Sequence, residues 1–433
     1  MGSIWSEKSG FKRHKALKGD AKTDVLIIGG GIAGILCAYM LDKESVDYIL
    51  AEANEICSGI TKNTTAKITS QHSLIYNKIE KEFSTEYASL YYKANENALN
   101  NYRTLCAEID CDFEEKDNYV YSTDNDNKLK KEIETLHRIN ADAQYCDSVS
   151  IPMDITGAIK FPNQAQFNPL KFLSAISENL NIYEHTKIRE LVGSTAVTDS
   201  GRIFAKRIVV ATHFPFINKH GAYYLKMYQH RTYAIALEDE DDINGMYVDE
   251  NKKGLSFRNY NNFLVIGGGS HRTGKNGGNW EELINFAKMN YPGSKITYKW
   301  ATQDCMTLDG IPYVGKYSKN TNNLYVITGF NKWGMTNSMA GAELIRDLII
   351  GRHNEFEDLY SPSRTLLRPQ LAVNGFEAVI NLVNPKPKRC PHLGCALQWN
   401  KEEQTWDCPC HGSRFEKNGD LIDNPATSGI KIN

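Results

Sequence analysis

The sequence has little of what marks membrane, secreted or nucleic-acid-binding proteins. Its 433 residues contain no apolar run close to the ~18 residues that a membrane-spanning helix needs. Residues 1–22 are basic and polar, without the apolar stretch of a signal peptide. Basic and acidic residues nearly balance, 50 against 52, so no broad basic surface for nucleic acid is expected. These absences favour a cytoplasmic protein without a membrane span or a nucleic-acid partner.

The ten cysteines are too few and too unevenly spread to form a disulfide scaffold. Six are scattered along the chain, as ordinary core or surface thiols are. These six are Cys37, Cys57, Cys106, Cys111, Cys146 and Cys305. The other four lie close together, between Cys390 and Cys410. In the absence of a secretory signal, such a cluster predicts a metal or redox site.

Near the N-terminus, a glycine pattern follows a short apolar run. Residues 24–28 are nearly all apolar, as in a buried parallel strand, and G-x-G-x-x-G comes directly after them at Gly29, Gly31 and Gly34. A helix with apolar residues at helical spacing follows. Glu52 ends a second predicted strand roughly 20 residues after the glycines, where an acid can bind a ribose. Together these features predict a dinucleotide site.

Two further segments have the composition of loops that bind phosphates or polar rings. Residues 58–67 are rich in hydroxyl groups, and residues 324–336 repeat the order strand, glycine turn and helix. The glycines at 267–269 are followed by neither a third motif glycine nor an apolar helix, so no second nucleotide site is expected there. Strands are predicted within 229–268. Helices are predicted at 84–109 and 128–139, both away from the dinucleotide fold, and at 168–180.

Over roughly residues 22–365, these motifs in this order resemble the FAD-dependent D-amino-acid oxidase, glycine oxidase and sarcosine oxidase family. The resemblance implies that the first glycine motif holds the FAD pyrophosphate and that Glu52 binds the ribose. It also implies oxidation of a C–H bond next to an amine by hydride transfer to the flavin. The flavin-binding residues that it implies are Gly29, Gly31, Ile32, Ala33, Gly34, Glu52, Ala53, Gly59, Thr64, Thr65, Ala66, Lys67, Ala211, Thr212, Asp309, Gly310, Gly329, Trp333, Gly334, Met335 and Thr336.

The resemblance does not identify the substrate. Members of the family commonly bind a substrate carboxylate with an arginine and a tyrosine, because a guanidinium fork matches a carboxylate. The candidates for this role are Arg231, Arg258, His271, Arg272 and Tyr313. No spacing singles out one of them, and each also suits an ordinary surface or sheet-face position.

The clustered C-terminal cysteines alternate with histidines. They form the boxes C-x-H-x-x-C, from Cys390 to Cys395, and C-x-C-H-G-S, from Cys408 to Ser413. One Cys and one His from each box would suit a tetrahedral zinc. They would equally suit a [2Fe–2S] cluster with cysteines on one iron and histidines on the other. A second matched cysteine pair has no use in a zinc site and favours the cluster; a zinc-bound structural tail is the alternative.

The two boxes closely resemble the Rieske iron–sulfur family. A complete Rieske domain has several strands before its first ligand loop, and this chain has little room for them. We therefore expect an abbreviated segment that leans on the flavin domain or on a partner. The resemblance implies Cys390 and Cys408 as ligands of one iron, His392 and His411 as ligands of the other, and a disulfide between Cys395 and Cys410.

The predicted fold class is α/β, with a Rossmann-like FAD-binding domain, a mixed-sheet substrate domain and a small, mostly β, Rieske-like C-terminal segment. The predicted units are an N-terminal extension (1–22), the oxidoreductase (23–365), a linker with a stiff basic stretch (366–389) and the Rieske segment (390–433). Within the oxidoreductase, the FAD-binding parts are predicted at about 23–75, 150–215 and 301–365, and the substrate or cap parts at about 76–149 and 216–300.

The predicted function is oxidation of a small amine or amino acid, with electrons passed from FAD through the [2Fe–2S] centre. An electron-acceptor protein is the expected partner besides the substrate. Two alternatives have the same cofactors. In one, a reduced carrier feeds electrons to the flavin. In the other, the protein is a redox sensor or electron carrier that turns over no small amine.

Overall fold

The computed structural model of the chain describes residues 2–5, 10–251, 254–364 and 368–431. The predicted boundary between oxidoreductase and linker, at 365 and 366, lies outside the described residues, as do the outermost ends of the first and last predicted units. None of the helices in the described ranges is long and apolar enough to cross a membrane.

The described strands form three sheets. In chain order they are β1 (Ala21–Ile28), β2 (Tyr48–Ala51), β3 (Lys67–Ile68), β4 (Glu114–Ser122), β5 (Gln144–Cys146), β6 (Gly157–Gln166), β7 (Ile182–Tyr183), β8 (Glu190–Val192), β9 (Thr195–Val197), β10 (Arg202–Val210), β11 (Met227–Glu238), β12 (Met246–Asp249), β13 (Ser256–Tyr260), β14 (Phe263–Arg272), β15 (Lys295–Thr307), β16 (Tyr313–Lys316), β17 (Leu324–Thr328), β18 (Gln398–Asn400), β19 (Thr405–Asp407), β20 (Arg414–Phe415) and β21 (Leu421–Asp423).

The described helices pack around these sheets. They are α1 (Ile32–Lys43), α2 (Tyr76–Glu82), α3 (Thr85–Cys106), α4 (Asn127–Arg138), α5 (Pro169–Ser177), α6 (Tyr223–Lys226), α7 (Trp280–Asn290), α8 (Gly334–Ile350), α9 (Glu357–Tyr360) and α10 (Pro369–Val383), with a 3-10 turn at Ile60–Asn63.

The first sheet is the predicted dinucleotide sheet, in the order β16-β17-β10-β1-β2-β7. Strand β1 pairs in parallel with both β2 and β10, and its residues Val25 to Ile28 are almost completely buried because neighbours cover both faces. Helix α1 runs back from the end of β1, and α8 packs beside it. This is the doubly wound arrangement expected around a dinucleotide.

The second sheet is mixed and has the order β15-β11-β14-β13-β12-β4-β6-β3. Its pairs are antiparallel except for β12 with β4. The predicted α/β fold, with a Rossmann-like part and a mixed-sheet part, is thus confirmed. The expectation that helix 84–109 lies away from the dinucleotide fold is wrong, because α3 packs on α8 and Tyr102 Oη donates to Met335 O (3.1 Å).

The C-terminal segment carries the third sheet, in the order β18-β19-β20-β21. Before it, the predicted linker contains helix α10, which turns its polar side inward. Asn374 and Asn381 are buried, whereas Phe376 and Val383 are 67% and 75% exposed. Asn374 Nδ2 donates to Leu225 O (3.1 Å) and thereby attaches the helix to α6, which directly precedes β11. The predicted linker is therefore largely ordered, and the stiff basic stretch after α10 remains without helix or strand.

Candidate active site and metal centre

A cavity of about 1160 Å³ lies between the first two sheets. The glycine turn after β1 and residues 58–67 border it on one side, and one face of β11, β14 and β15 borders it on the other. The end of the C-terminal segment, residues 421–427, also borders it. There Asn424 Nδ2 donates to Phe214 O (2.7 Å). Such a volume suits a large cofactor together with a small ligand.

The glycine turn has no room for side chains. A Cβ atom at Gly34 would lie 1.9 Å from Gly29 O, and one at Gly29 would lie 2.6 Å from Ala211 O. Gly29 also has φ +109°, which favours glycine. Helix α1 begins here without a side-chain hydrogen bond at its cap residue Gly31. The result is a close backbone approach and a helix N-terminus directed at the cavity, which is the geometry that holds a pyrophosphate.

Glu52 closes the other end of this turn. Its Oε2 accepts a hydrogen bond from Gly30 N (2.7 Å) and its Oε1 accepts one from Asn54 N (2.8 Å). Burial raises the pKa of Glu52, and these backbone donors act in the opposite sense. The carboxylate is thus fixed at the end of β2, bordering the cavity together with Ala53. This is where an acid can bind a ribose hydroxyl.

Lys67 is a buried base on the cavity wall. Burial, reinforced by the nearby Arg258 guanidinium, lowers the pKa of Lys67 to about 7. Arg258 lies behind the wall, where its Nη1 donates to Thr65 O (2.7 Å) and Ala66 O (2.9 Å). Two adjacent cations at this depth repel each other, so an anionic group in the cavity would stabilise both.

The N-terminus of α8 faces the cavity from a third direction. Trp333, Gly334 and Met335 border the cavity, and the Trp333 ring stacks on His72 with centroids 5.0 Å apart. Burial lowers the pKa of His72 to about 3, so this ring is neutral. Thr336 lies just behind, donating to Thr69 O (3.0 Å). Aromatic and backbone groups thus surround a space suited to a planar ring.

The second sheet has two different faces. Alternate residues of β11 and β15 border the cavity, because successive side chains of a strand point to opposite sides. The alternating lining residues are Tyr228, His230, Thr232 and Ala234 of β11 and Trp300, Thr302, Asp304 and Met306 of β15; Tyr233, Cys305 and Thr307 also border the cavity. Residues between them contact the C-terminal segment on the reverse face. One sheet therefore separates the cavity from the cysteine–histidine loops.

Buried polar side chains fasten the loops to the reverse face. Gln229 Nε2 donates to His411 O (2.7 Å), and Gln303 Nε2 donates to Gly412 O (2.8 Å). Arg272 Nε donates to Pro409 O (3.0 Å) in the same loop. These hydrogen bonds involve backbone carbonyls within the second cysteine box, so the sheet directly positions that box.

The four predicted metal ligands converge in one place. Cys390 and Cys408 are buried and share a hydrogen bond, which is the main reason that the pKa of Cys390 is lowered. His392 Nδ1 and His411 Nδ1 lie 3.3 Å apart. Two thiols and two imidazole nitrogens thus meet from two loops, as the ligation of a mixed cysteine–histidine centre requires.

The outer nitrogens of both histidines are occupied. His392 Nε2 lies 2.9 Å from Asn218 Oδ1, and His411 Nε2 lies 3.1 Å from Tyr224 O. With acceptors at Nε2, each ring carries its proton there and turns an unprotonated Nδ1 inward. Two such lone pairs in close contact repel each other unless a cation lies between them. The donor set therefore fits a metal centre.

The remaining two cysteines of the segment are joined. Cys395 and Cys410 form a disulfide with their Cα atoms 6.7 Å apart. Their sulfurs and that of Cys408 lie within 4.8 Å of one another. Because two of these three sulfurs are bonded to each other, they are not thiolate ligands, and the disulfide instead ties the two loops together.

Family comparisons agree with these two sites. The family described as FAD dependent oxidoreductase matches residues 24–348, and the Rieske [2Fe-2S] domain matches residues 386–432. The chain belongs to the FAD dependent oxidoreductase family. It is an enzyme of that family with a Rieske domain, and its cofactors are FAD and a [2Fe–2S] cluster.

Individual relatives match the whole chain or one part of it. The chain is 33% identical over 493 residues to the Rieske 2Fe-2S iron-sulfur protein YhfW of Bacillus subtilis (strain 168), covering 99% of this chain and 97% of that one. It is 24% identical to the gamma-glutamylputrescine oxidoreductase of Escherichia coli (strain K12), covering 77% and 85%. Glycine oxidase from Geobacillus kaustophilus has the same fold, with TM-score 0.67 and 19% identity over 80% of this chain and all of that chain.

Most of the predicted flavin-binding residues border the cavity, and four do not. Gly34 and Ala66 lie directly behind it, and Thr336 bonds to His72 and Thr69. Asp309 forms a buried ion pair with Arg364 (2.8 Å). These four residues therefore shape the cavity wall from behind.

The candidates for a substrate carboxylate do not border the cavity. The prediction for Arg231 is wrong, because its guanidinium forms a buried ion pair with Glu403 of the C-terminal segment. Arg258 donates to the carbonyls described above, although its Nη2 is buried without a hydrogen-bond partner, and Arg272 donates to Pro409 O, Cys410 O and Asn374 Oδ1. Tyr313 lies under the Arg364 guanidinium (4.4 Å), and His271 stacks on Tyr233 (5.8 Å).

Sequence reasoning missed the polar residues on the front of the sheet. Thr232, Ser270 and Asp304 border the cavity and were not predicted as site residues; Lys332 borders it from the turn before α8, within a segment that was predicted to face the flavin although this residue was not singled out. The alternation of side chains along β11 and β15 contains the relevant signal. Using it requires knowing which strand face the cavity covers, and only the tertiary structure supplies that.

Proposed function

We propose that the protein oxidises a small amine or amino acid in the cavity and passes the electrons on through its own Rieske segment. Bound FAD supplies hydride acceptance and the [2Fe–2S] cluster supplies single-electron transfer. The observation that carries the proposal is the sheet with two faces. Its front borders the flavin cavity, and its back hydrogen-bonds the loop of a cluster ligand through Gln229.

The residues of the chain have separate tasks in this scheme. The glycine turn and the starts of α1 and α8 bind the anionic and ring parts of FAD, and Glu52 binds its ribose. Lys67, whose pKa burial lowers to about 7, becomes a full positive charge when an anionic group of the cofactor binds beside it. Cys390, Cys408, His392 and His411 bind the cluster. The buried contacts on the back of the sheet keep the cluster loops against the flavoprotein without a mobile connection.

Relatives support the substrate class. The Escherichia coli relative is a gamma-glutamylputrescine oxidoreductase, and one solved structure with this fold is a glycine oxidase. Both names refer to compounds with an amine. The cavity also has space beside its cofactor-binding side, along the front of β11 and β15, for a small ligand.

The test is anaerobic mixing of the holoprotein with a panel of amines and amino acids, followed optically and by low-temperature EPR. We expect a member of the panel to bleach the flavin band and then to produce the rhombic signal of a reduced Rieske centre. In the Cys408→Ser variant, bleaching should persist while the EPR signal and transfer to a one-electron acceptor are lost. Bleaching with no cluster reduction in the unaltered protein would refute the electron route. No bleaching with any compound would refute the amine substrate and favour a carrier or sensor.

A further inference from the structure

The front of the second sheet carries a small group of polar and charged side chains beside otherwise apolar neighbours. Asp304 on β15 stands directly opposite His230 on β11 in the antiparallel register. Cross-strand partners of this kind have Cβ atoms roughly 5 Å apart. Both residues border the cavity. A carboxyl group and an imidazole therefore lie next to each other where the second sheet borders the cavity.

Asp304 is an anion in a poorly solvated place. Burial raises the pKa of its carboxyl to about 6, and the Lys332 ammonium and the Arg231 guanidinium act in the opposite sense. The carboxyl is consequently ionised near pH 8. Arg231 is on the reverse face and is already paired with Glu403, so it does not neutralise Asp304 from within the cavity.

Lys332 approaches from the turn before α8 and brings a positive charge to the same region. Its Nζ donates to Ser270 Oγ, and Ser270 Oγ lies 3.3 Å from Thr232 Oγ1. All three residues border the cavity. The hydroxyl groups fix the direction of the lysine side chain and extend the polar area across β14 and β11. A positive and a negative group are thus presented side by side to whatever enters.

We propose that Asp304 and Lys332 are the two charged anchors of the substrate, the Asp304 carboxylate binding its ammonium group and the Lys332 ammonium binding its carboxylate. The substrate class is then a small zwitterion, an amino acid or an N-substituted amino acid. This inference rests on the proposed function and specifies its substrate. It replaces the arginine–tyrosine pair that the sequence suggested, whose members the structure uses elsewhere.

The experiment separates the two anchors with two probes of equal size, propylammonium and propionate. Binding of each to the oxidised holoprotein at pH 8 is measured by perturbation of the flavin spectrum. We expect Asp304→Asn to weaken propylammonium binding at least tenfold and to leave propionate binding unchanged or stronger. Lys332→Met should do the reverse. Asp241→Asn, an exposed acid on a loop, is the matched control and should affect neither probe.

Flavin content and the Rieske EPR signal of each variant establish that the fold and cofactors are retained. Equal loss of both probes in either variant, or no loss in both variants, would overturn the assignment. Loss of FAD from Lys332→Met would also overturn it, by assigning the lysine to the cofactor. These outcomes are independent of turnover. If the probes bind as expected but no amine or amino acid bleaches the flavin, the proposed function fails while the anchor assignment holds.

Discussion

Glu403 is the residue whose removal should most weaken the attachment of the Rieske segment to the flavoprotein. Its carboxylate pairs with Arg231 on the back of the second sheet and with Arg414 (2.8 Å) within the segment. The three side chains are only 10%, 3% and 6% exposed, respectively. Arg414 has two further partners, Asp407 (3.1 Å) and Asp423 (3.2 Å). Removal of Glu403 therefore leaves Arg231 as the uncompensated buried charge.

The expected cost of Glu403→Gln is about 3 kcal/mol in the free energy that holds the segment in place. Breaking a buried ion pair costs roughly 3–5 kcal/mol, and the lower end applies because Arg414 keeps its other carboxylates. A loss of about 3 kcal/mol raises the population of the detached segment on the order of 100-fold. Hydrogen exchange of the backbone amides in 390–431 measures this population, and flavin absorbance reports separately on the rest of the chain.

Two further variants serve as a control and as a rescue for Glu403→Gln. Glu402→Gln changes the exposed neighbour in the same turn and should leave the exchange rates unchanged. Arg231→Met combined with Glu403→Leu should recover most of the loss, because apolar side chains leave no buried charge. A change below about 0.5 kcal/mol in Glu403→Gln, equal to that in Glu402→Gln, would show that the pair behaves as an exposed salt bridge and would refute the argument.

The same pair predicts how attachment depends on pH. Burial alone would raise the pKa of Glu403, but Arg231 and Arg414 outweigh it and hold the pKa below its usual value. A group with a depressed pKa in the folded state contributes stability above its unfolded pKa and loses that contribution as the pH falls through the folded one. The segment should therefore loosen in acid, and Glu403→Gln should lack this part of the pH dependence.

Three other substitutions test the remaining sites. Gly34→Ala places a methyl group against a backbone oxygen and should yield protein without FAD, whereas Gly10→Ala, which has open space around it and does not border the cavity, should keep full flavin content. Cys395→Ser removes the disulfide that joins the two ligand loops, so the cluster absorbance should bleach several degrees lower on heating, at a cost of about 3 kcal/mol, unlike Cys146→Ser. Asp309→Asn leaves a buried arginine without its carboxylate and should lower the unfolding free energy by ~3–5 kcal/mol while folded protein keeps its FAD. Loss of flavin at unchanged stability would instead return Asp309 to the cofactor contacts.

The local motifs could be interpreted from the sequence because each depends on neighbours in the chain. The turn requires residues without Cβ at Gly29 and Gly34, and Asn168 before Pro169 begins α5 as predicted, its Oδ1 accepting from Leu170 N (3.1 Å). The Rieske boxes likewise place two ligands on each loop. In these cases the residues that matter are close together in the sequence, and for the boxes the family resemblance supplied the pairing that was predicted.

The substrate-facing residues could not be found in the same way. Arg231 on β11 pairs with Gln303 on β15, the residue directly before Asp304. Arg231 and Asp304 nevertheless face opposite sides of the sheet. A shift of one residue exchanges the faces of a strand, and no local pattern shows which face another unit covers. The sequence also gives no sign of how helix α10 packs. Its asparagines are buried and its apolar residues are exposed, which is the reverse of the usual amphipathic pattern.

The sequence by itself therefore indicated the two cofactors and predicted, through its resemblance to the Rieske family, the residues that would bind the cluster. These follow from short-range constraints: steric space at glycines, the start of a helix and the ligand spacing within two loops. Only the tertiary structure decided that the Rieske segment lies against the reverse face of the second sheet and that Asp304 and Lys332 border the cavity in front of it. Both depend on strand register and on contacts between residues far apart in the chain, and a charged side chain is either buried against a partner or presented to a ligand according to those contacts alone.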